Sequence, residues 1–62
     1  MKIVVDAFGG DNAPLEIIKG SQMAEKEYGV EIILCGDEKE INKCIEENDL
    51  HFKKLTIIDA LR

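Results

Sequence analysis

Three short apolar runs, separated by segments of helical length, are the feature that most restricts the fold of this chain. The runs predict strands at Lys2–Asp6, Val30–Cys35 and Leu55–Ile58. Each run is almost continuously apolar, which is typical of parallel strands that are covered on both faces. Strands connected through helices pair in parallel by right-handed crossovers. The sequence therefore predicts the α/β class, as a βαβαβ segment with three parallel strands.

The first connecting segment has the spacing and end signals of a helix. Pro14 suits the first helical position, and Gly29 suits the left-handed conformation that ends many helices. The predicted helix therefore covers 14–28, and its inward face is formed by Ile17, Ile18, Ser21, Ala24 and Tyr28. Gly20 in its interior costs about 1 kcal/mol relative to alanine. We expect close packing of the helix on the sheet to explain this glycine.

The second connecting segment predicts a shorter amphipathic helix. Asp37 and Glu40 form an Asp-x-x-Glu variant of the capping box at its start, and Asn48-Asp49 ends it. The inward face is predicted to hold Ile41, Cys44 and Ile45, and the outward face the polar residues Lys39, Asn42, Lys43, Glu46 and Glu47. This charged face is interpreted as a solvated helix exterior.

The length of the chain limits how well such a fold can cover itself. The chain has 62 residues, and a protein of this size buries only about 60% of its unfolded surface. Two helices do not cover both faces of a three-stranded sheet, and the outer strands have open edges. We therefore expect residues 1–62 to be the N-terminal βαβαβ part of a larger, doubly wound (Rossmann-like) α/β domain with three layers, truncated after the third strand and without a second domain.

Composition argues against several classes of function. Thirteen acidic and eight basic residues give a net charge of −5, and the basic residues are scattered, which argues against nucleic-acid binding. Apolar runs are far shorter than the ~20 residues that span a bilayer. The N-terminus enters a strand directly and lacks signal-peptide features, which predicts a cytoplasmic location.

The cysteines and the single histidine are interpreted as structural or surface residues. Cys35 and Cys44 lack the spacing of a zinc or redox motif, and we expect both to be reduced thiols in the core. His51 lies in a polar connection and is predicted to be exposed.

A glycine pair after the first strand is the candidate functional motif. Gly9 and Gly10 permit a tight turn, and Asp11 and Asn12 are capping residues just before the helix. Backbone N–H groups and the positive end of the helix dipole would converge there on an anion. The spacing fits neither the dinucleotide fingerprint nor the ATP-binding P-loop, so a ligand-free strand-to-helix turn is an equally weighted alternative.

The acidic residues at the ends of the three strands have more than one interpretation. Asp6 is expected to orient the loop by accepting backbone N–H bonds, rather than to act as a catalytic base. Asp6, Asp37 and Asp59 would lie at one edge of the sheet. A divalent metal is the less favoured reading, because Asp37 is already predicted to cap a helix.

The stretch Val5-Asp6-Ala7-Phe8-Gly9-Gly10-Asp11-Asn12-Ala13-Pro14 resembles the opening of the bacterial phosphate acyltransferases of the PlsX type. That family usually reads Asp-Ala-Met-Gly-Gly-Asp, a variable residue and Ala-Pro, so Phe8 replaces the usual methionine. The resemblance continues into the second strand and its Gly36-Asp37 turn. Near the third strand, Asp59-Ala60 stands where the family tends to have His-Ala.

The resemblance implies an enzyme of fatty acid and phospholipid synthesis. Its members transfer a fatty acyl group from acyl-carrier protein to inorganic phosphate, as homodimers with a doubly wound fold and without a metal or organic cofactor. The implied substrate-binding residues, for phosphate or the developing oxyanion, are Asp6, Gly9, Gly10, Asp11 and Asn12. Peripheral contact with the membrane is also implied, and the catalytic residues remain unassigned.

This loop has no neighbouring basic residues, so those that neutralise phosphate are expected from chain outside these residues, and the 62-residue chain alone is expected to be inactive. The alternatives are a small flavodoxin-like or nucleotide-binding module and a non-catalytic structural fragment.

Overall fold

A computed structural model describes residues 1–7 and 14–60 of the chain. The elements follow in the order β1 (Lys2–Asp6), α1 (Leu15–Tyr28), β2 (Glu31–Gly36), α2 (Glu38–Glu47) and β3 (Leu55–Asp59). The strands form one parallel sheet in the order β1-β2-β3. The predicted βαβαβ fold is confirmed, and the starts of α1 and β2 and the ends of β2 and β3 differ from the prediction by one residue.

Both helices pack on the same face of the sheet. Right-handed crossovers between strands in sequential order place successive helices on one side. Along β2, Ile32, Leu34 and Gly36 are buried and the alternate residues are only partly buried. Ile32 and Leu34 form one core with Ile18 of α1 and with Ile41 and Cys44 of α2.

The opposite face of the sheet is uncovered in the described part of the chain. We call it the open face; its members are Lys2, Val4, Asp6, Glu31, Ile33, Cys35, Thr56 and Ile58. Val4 is 66% exposed and Ile58 48% exposed. The open face agrees with the expectation from sequence that two helices do not cover both faces of the sheet. Both helices lie on the other face because both crossovers have the same hand. Cys35, predicted to lie in the core, is only partly buried on this face.

The buried stripe of α1 differs from the predicted one. Ile18, Ser21 and Glu25 are buried, whereas Tyr28, predicted to face inward, is 71% exposed. Tyr28 is the last helical residue, where the chain turns through Gly29 toward β2. Gly29 has φ 66° and its N–H donates to the Glu25 carbonyl at 2.8 Å, so the predicted left-handed cap is confirmed.

Gly20 does not pack closely against the sheet, so that prediction is wrong. The residue is exposed, and a Cβ added to it would meet nothing within 4 Å. Two residues along a helix correspond to a rotation of about 200°, which turns Gly20 away from the face that carries Ile18.

The predicted exterior of α2 and the exposure of His51 are confirmed. Ile41 and Cys44 are buried, Ile45 is partly buried, and the predicted polar face is exposed throughout. Asn48 ends the helix, and its backbone N–H and side-chain amide both donate to the Cys44 carbonyl. His51 lies at the surface with its Nε2 3.1 Å from Asp49 Oδ1.

Candidate functional site

The carboxyl ends of the three strands lie along one edge of the sheet. The register pairs Asp6 with Cys35 and Gly36 with Asp59. The pairing extends one residue further, since Ala7 N–H donates to the Cys35 carbonyl at 2.8 Å and Ala60 N–H to the Gly36 carbonyl at 2.9 Å. This is the edge at which open α/β sheets bind their ligands.

The predicted loop connects this edge to the start of α1. Asp6 is the exposed last residue of β1, and Pro14 precedes α1, its carbonyl accepting the Ile18 N–H at 2.9 Å. Pro14 is thus the N-cap residue and not the first helical residue. Gly9, Gly10, Asp11 and Asn12, the remainder of the predicted site, lie outside the described residues.

Gly36 allows β1 and α2 to approach each other where β2 ends. A Cβ added here would lie 3.2 Å from Ile41 Cδ1 and 3.3 Å from Ala7 Cβ. Ala7 is itself only 6% exposed. The glycine therefore leaves the room that Ala7 and Ile41 occupy beside the end of β2. Sequence reasoning identified Gly36 as a turn residue and missed this packing role.

The N-terminus of α2 is occupied by carboxylates of the chain itself. Asp37 Oδ1 accepts the N–H groups of Lys39 and Glu40 at 3.0 and 3.3 Å. Asp59 Oδ1 accepts the Glu38 N–H at 3.1 Å. Two negative charges thus face the positive end of the helix dipole and use its first free donors.

The role of Asp37 as a cap was predicted, whereas the cap from Asp59 was not. The signal was an acid at the end of a strand beside a helix start, but its identification required the neighbouring position of β2 and β3. An external anion at α2 would have to displace both carboxylates. Among the described residues, no side-chain carboxylate accepts the first N–H groups of α1 in the way that Asp37 and Asp59 accept those of α2.

The described residues contain neither a metal-binding cluster nor a membrane-spanning helix. In 1–7 and 14–60, no three histidine, cysteine, aspartate or glutamate side chains are grouped so as to hold a metal ion. Neither α1 nor α2 has the length and apolar character needed to cross a membrane.

A second cluster of polar contacts lies at the opposite end of α1. Glu25 is 7% exposed, and its two carboxylate oxygens accept the N–H groups of Lys53 and Lys54 at 2.8 and 2.7 Å. Gln22 Nε2 donates to the His51 carbonyl at 3.0 Å. These bonds hold the connection between α2 and β3 against α1. Because both carboxylate oxygens of Glu25 accept backbone N–H groups of the same chain, we interpret the cluster as structural.

Comparison with known proteins places the chain beside enzymes of lipid synthesis. The model of a family described as "Fatty acid synthesis protein" matches residues 1–61. A phosphate acyltransferase of Dictyoglomus turgidum is 42% identical over 60 residues, which cover 97% of this chain and 18% of that protein.

Two other relatives carry the same name. The phosphate acyltransferase of Clostridium novyi is 44% identical over 61 residues, covering 97% of this chain and 18% of the relative. That of a Synechocystis species is 44% identical over 59 residues, covering 95% and 17%. The chain thus spans less than a fifth of the length of the curated relatives it matches.

Proposed function

Because this chain belongs to the fatty acid synthesis protein family, we propose that it is the N-terminal part of a phosphate acyltransferase. The match over residues 1–61 to relatives that carry this name is the observation that supports the proposal most directly. The proposed reaction transfers a fatty acyl group from acyl-carrier protein to inorganic phosphate, within fatty acid and phospholipid synthesis.

In the proposed step, an oxygen of hydrogen phosphate attacks the carbonyl carbon of the acyl thioester. A C–O bond forms, the C–S bond breaks, and the proton of the phosphate ends on the departing thiol of acyl-carrier protein. The products are acyl phosphate and free carrier thiol. Such a reaction depends mainly on holding the nucleophile in line with the carbonyl and on stabilising the developing oxyanion.

We assign the binding of phosphate, or of the oxyanion, to the segment between β1 and α1. Its proposed contacts are the backbone N–H groups of Gly9, Gly10, Asp11 and Asn12, with Asp6 orienting the loop. Support comes from the described ends of this segment, which lie at the carboxyl edge of the sheet. Occupation of the α2 start by Asp37 and Asp59 also favours the α1 start as the anion site.

The proposal includes the domain and cellular context. Residues 1–62 would form the leading part of a larger doubly wound α/β domain, which acts in the cytoplasm as a homodimer with peripheral membrane contact. The family relationship and the uncovered face of the sheet support the larger domain, whereas the homodimer and the membrane contact rest on the resemblance described above. The chain alone would lack the basic groups that neutralise phosphate.

A chimera tests the proposed function. The part of the Clostridium novyi phosphate acyltransferase that this chain matches is replaced by these 62 residues, and acyl phosphate is trapped as the hydroxamate. We expect activity in the chimera, its loss in Gly9→Val and Gly10→Val, and no change in Gly20→Ala, whose position is exposed. A folded chimera without activity, or glycine variants with full activity, would contradict the proposal. Saturable nucleotide binding by the isolated chain would favour a binding module instead.

A further inference from the structure

The C-terminal half of α1 and the connection between α2 and β3 form a cleft, which we call the Phe52 cleft. It has a volume of about 340 Å³, and its lining residues are Gln22, Glu25, Lys26, His51, Phe52 and Lys53. We propose that the Phe52 cleft binds a small amphipathic anion, which combines an apolar body with one carboxylate or phosphate-monoester head. This site is independent of the proposed function.

The Phe52 cleft lies away from the edge at which phosphate is proposed to bind. α1 begins at Leu15, at the carboxyl edge of the sheet, whereas Glu25 lies near the other end of the helix. At about 1.5 Å per residue, these two positions are about 15 Å apart along the helix axis. A ligand in the cleft would therefore occupy a second site and would not compete for the segment between β1 and α1.

Hydrogen bonds between α1 and the connection hold the walls of the cleft in place. The Glu25 carboxylate accepts the N–H groups of Lys53 and Lys54 at 2.8 and 2.7 Å. The Gln22 side-chain amide donates to the His51 carbonyl at 3.0 Å. The cleft is therefore already formed in the chain without a ligand, which is typical of small-molecule sites.

The surface inside the cleft is mainly apolar. Phe52 is partly buried and packs against the hydrophobic core, and its remaining surface lines the cleft. The stems of Lys26 and Lys53 add apolar surface, because a lysine side chain carries its charge only at its end. This lining suits a ligand with an apolar body.

The charges around the cleft favour a negative head group. Lys26 and Lys53 are exposed, and neither has an ion-pair partner within 4.0 Å in the part of the chain that the structure describes. Glu25 opposes them with one carboxylate, whose two oxygens already accept backbone N–H groups. His51 lies 3.1 Å from Asp49, so these two groups offset each other when the imidazole is protonated. Two lysine ammonium groups thus remain for an anion.

The dimensions of the cleft favour a small molecule over a partner protein. The lining positions fall within 22–26 of α1 and 51–53 of the connection. Five helical residues rise only about 7 Å, which is too short a groove for a bound helix or strand. The volume of about 340 Å³ falls within the range of roughly 300–1,000 Å³ found for small-molecule pockets.

Ligands that differ in one feature at a time test the proposal. Hexanoate, hexanol and acetate are titrated into the full chain at constant ionic strength, and amide proton–nitrogen correlation spectra follow Phe52, Lys53 and the Gln22 side chain. We expect saturable shifts of these signals with hexanoate. Hexanoate should bind at least about tenfold more tightly than acetate, because its additional methylene groups leave water. It should bind at least about threefold more tightly than hexanol, which has no charge.

Hexyl phosphate distinguishes the two head groups. It shares the apolar body of hexanoate and is titrated under the same conditions. Saturable shifts with either anion support the proposal, and the anion that binds more tightly identifies the head group that the cleft accepts.

Two double variants separate the cleft from the overall charge of the chain. Lys26→Gln with Lys53→Gln should raise the dissociation constant of hexanoate at least about fivefold, because each exposed lysine contributes a modest attraction. Lys39→Gln with Lys43→Gln removes the same charge from the exposed face of α2 and should change it less than about twofold. All four lysines are exposed, so both double variants should fold, which circular dichroism checks.

Three results would overturn the inference. The first is the absence of saturable shifts at Phe52, Lys53 and Gln22, or shifts centred instead on Val4 and Ile58 of the open face. The second is equal affinity for hexanoate and acetate, or for hexanoate and hexanol, because the cleft would then recognise only one half of the ligand. The third is an equal loss of affinity in the two double variants, which would show attraction to the chain as a whole.

Discussion

The buried carboxylate of Glu25 provides the sharpest stability prediction for this chain. It accepts two backbone N–H groups, from Lys53 and Lys54, at 2.8 and 2.7 Å. Hydrogen bonds to a charged group contribute about 1.5–3 kcal/mol each. The two lysines are exposed, so their N–H groups can bind water after a substitution, which favours the lower end of this range. We expect Glu25→Ala to lower the free energy of unfolding by about 3 kcal/mol.

The glutamine variant is the more informative one. A 62-residue domain has roughly 3–9 kcal/mol of total stability, so the alanine variant removes a third or more of it. Glu25→Gln keeps one carbonyl acceptor but turns an NH₂ group toward the second backbone N–H. One hydrogen bond is therefore lost, and we expect a destabilisation of about 1.5–2 kcal/mol.

Urea denaturation followed by far-ultraviolet circular dichroism measures this effect. With a slope of about 1 kcal/mol/M for so small a domain, the midpoint of Glu25→Gln should fall by about 1.5–2 M. Glu27→Gln, an exposed substitution of the same kind in the same helix, should stay within about 0.5 kcal/mol of wild type. Amide hydrogen exchange at Lys53 and Lys54 should accelerate only in the Glu25 variants. Equal midpoints for the two glutamine variants would refute the reasoning.

The remaining predictions concern the glycines, a helix cap and a thiol. Gly20→Ala should stabilise the chain by about 1 kcal/mol. Gly36→Ala should destabilise it by about 1–2 kcal/mol, because the added Cβ crowds Ala7 and the core. Urea melts should therefore shift the midpoint in opposite directions for the two variants, and shifts in the same direction would contradict this reasoning. Asp37→Ala should cost about 1 kcal/mol, measured by the same melts, and no loss would show that its bonds to α2 are unimportant. Burial raises the pKa of the Cys44 thiol in the folded chain. The stability that this buried, neutral thiol contributes is fully present below the ordinary thiol pKa of about 8.5. It is lost as the pH rises through the pKa of the thiol in the folded chain. In melts from about pH 7 to pH 10, the free energy of unfolding should decline with pH, and Cys44→Ala should reduce this decline. The same decline in both proteins would show that it does not come from Cys44.

The order and type of the elements could be predicted from local signals. Apolar runs gave the three strands, and the helix ends followed from residues that act through their own backbone, such as Gly29 and Asp37. These signals depend on residues within a few positions of one another, so a single sequence contains them.

The contacts that the sequence did not reveal join distant parts of the chain. Glu25 appears as an ordinary polar residue of a helix, and its burial depends on N–H groups 28 and 29 residues later. The cap from Asp59 to Glu38 spans 21 residues. The sequence predicted that two helices leave part of the sheet uncovered, but not which residues face outward, since an apolar strand has the same composition whether its second face is covered by this chain or by another.

For the candidate site, sequence reasoning located the carboxyl edge and the strand-to-helix segment. The structure confirms the position of Asp6 at the end of β1, whereas Pro14 is the N-cap of α1 and not the predicted first helical residue. The assignment of the glycine loop to an anion stays a prediction, because Gly9 to Asn12 lie outside the described residues.

The bonds from Glu25 also set a lower limit on how short a folded piece of this protein can be. A piece that stopped before Lys53 would keep α1, β2 and α2. It would, however, have to bury the Glu25 carboxylate without the two N–H groups that donate to it. An acid without donors remains in water, and the last two turns of α1 would then stay apart from the sheet. We therefore expect the first crossover to complete its docking only in pieces that extend as far as Lys54, near the start of the third strand.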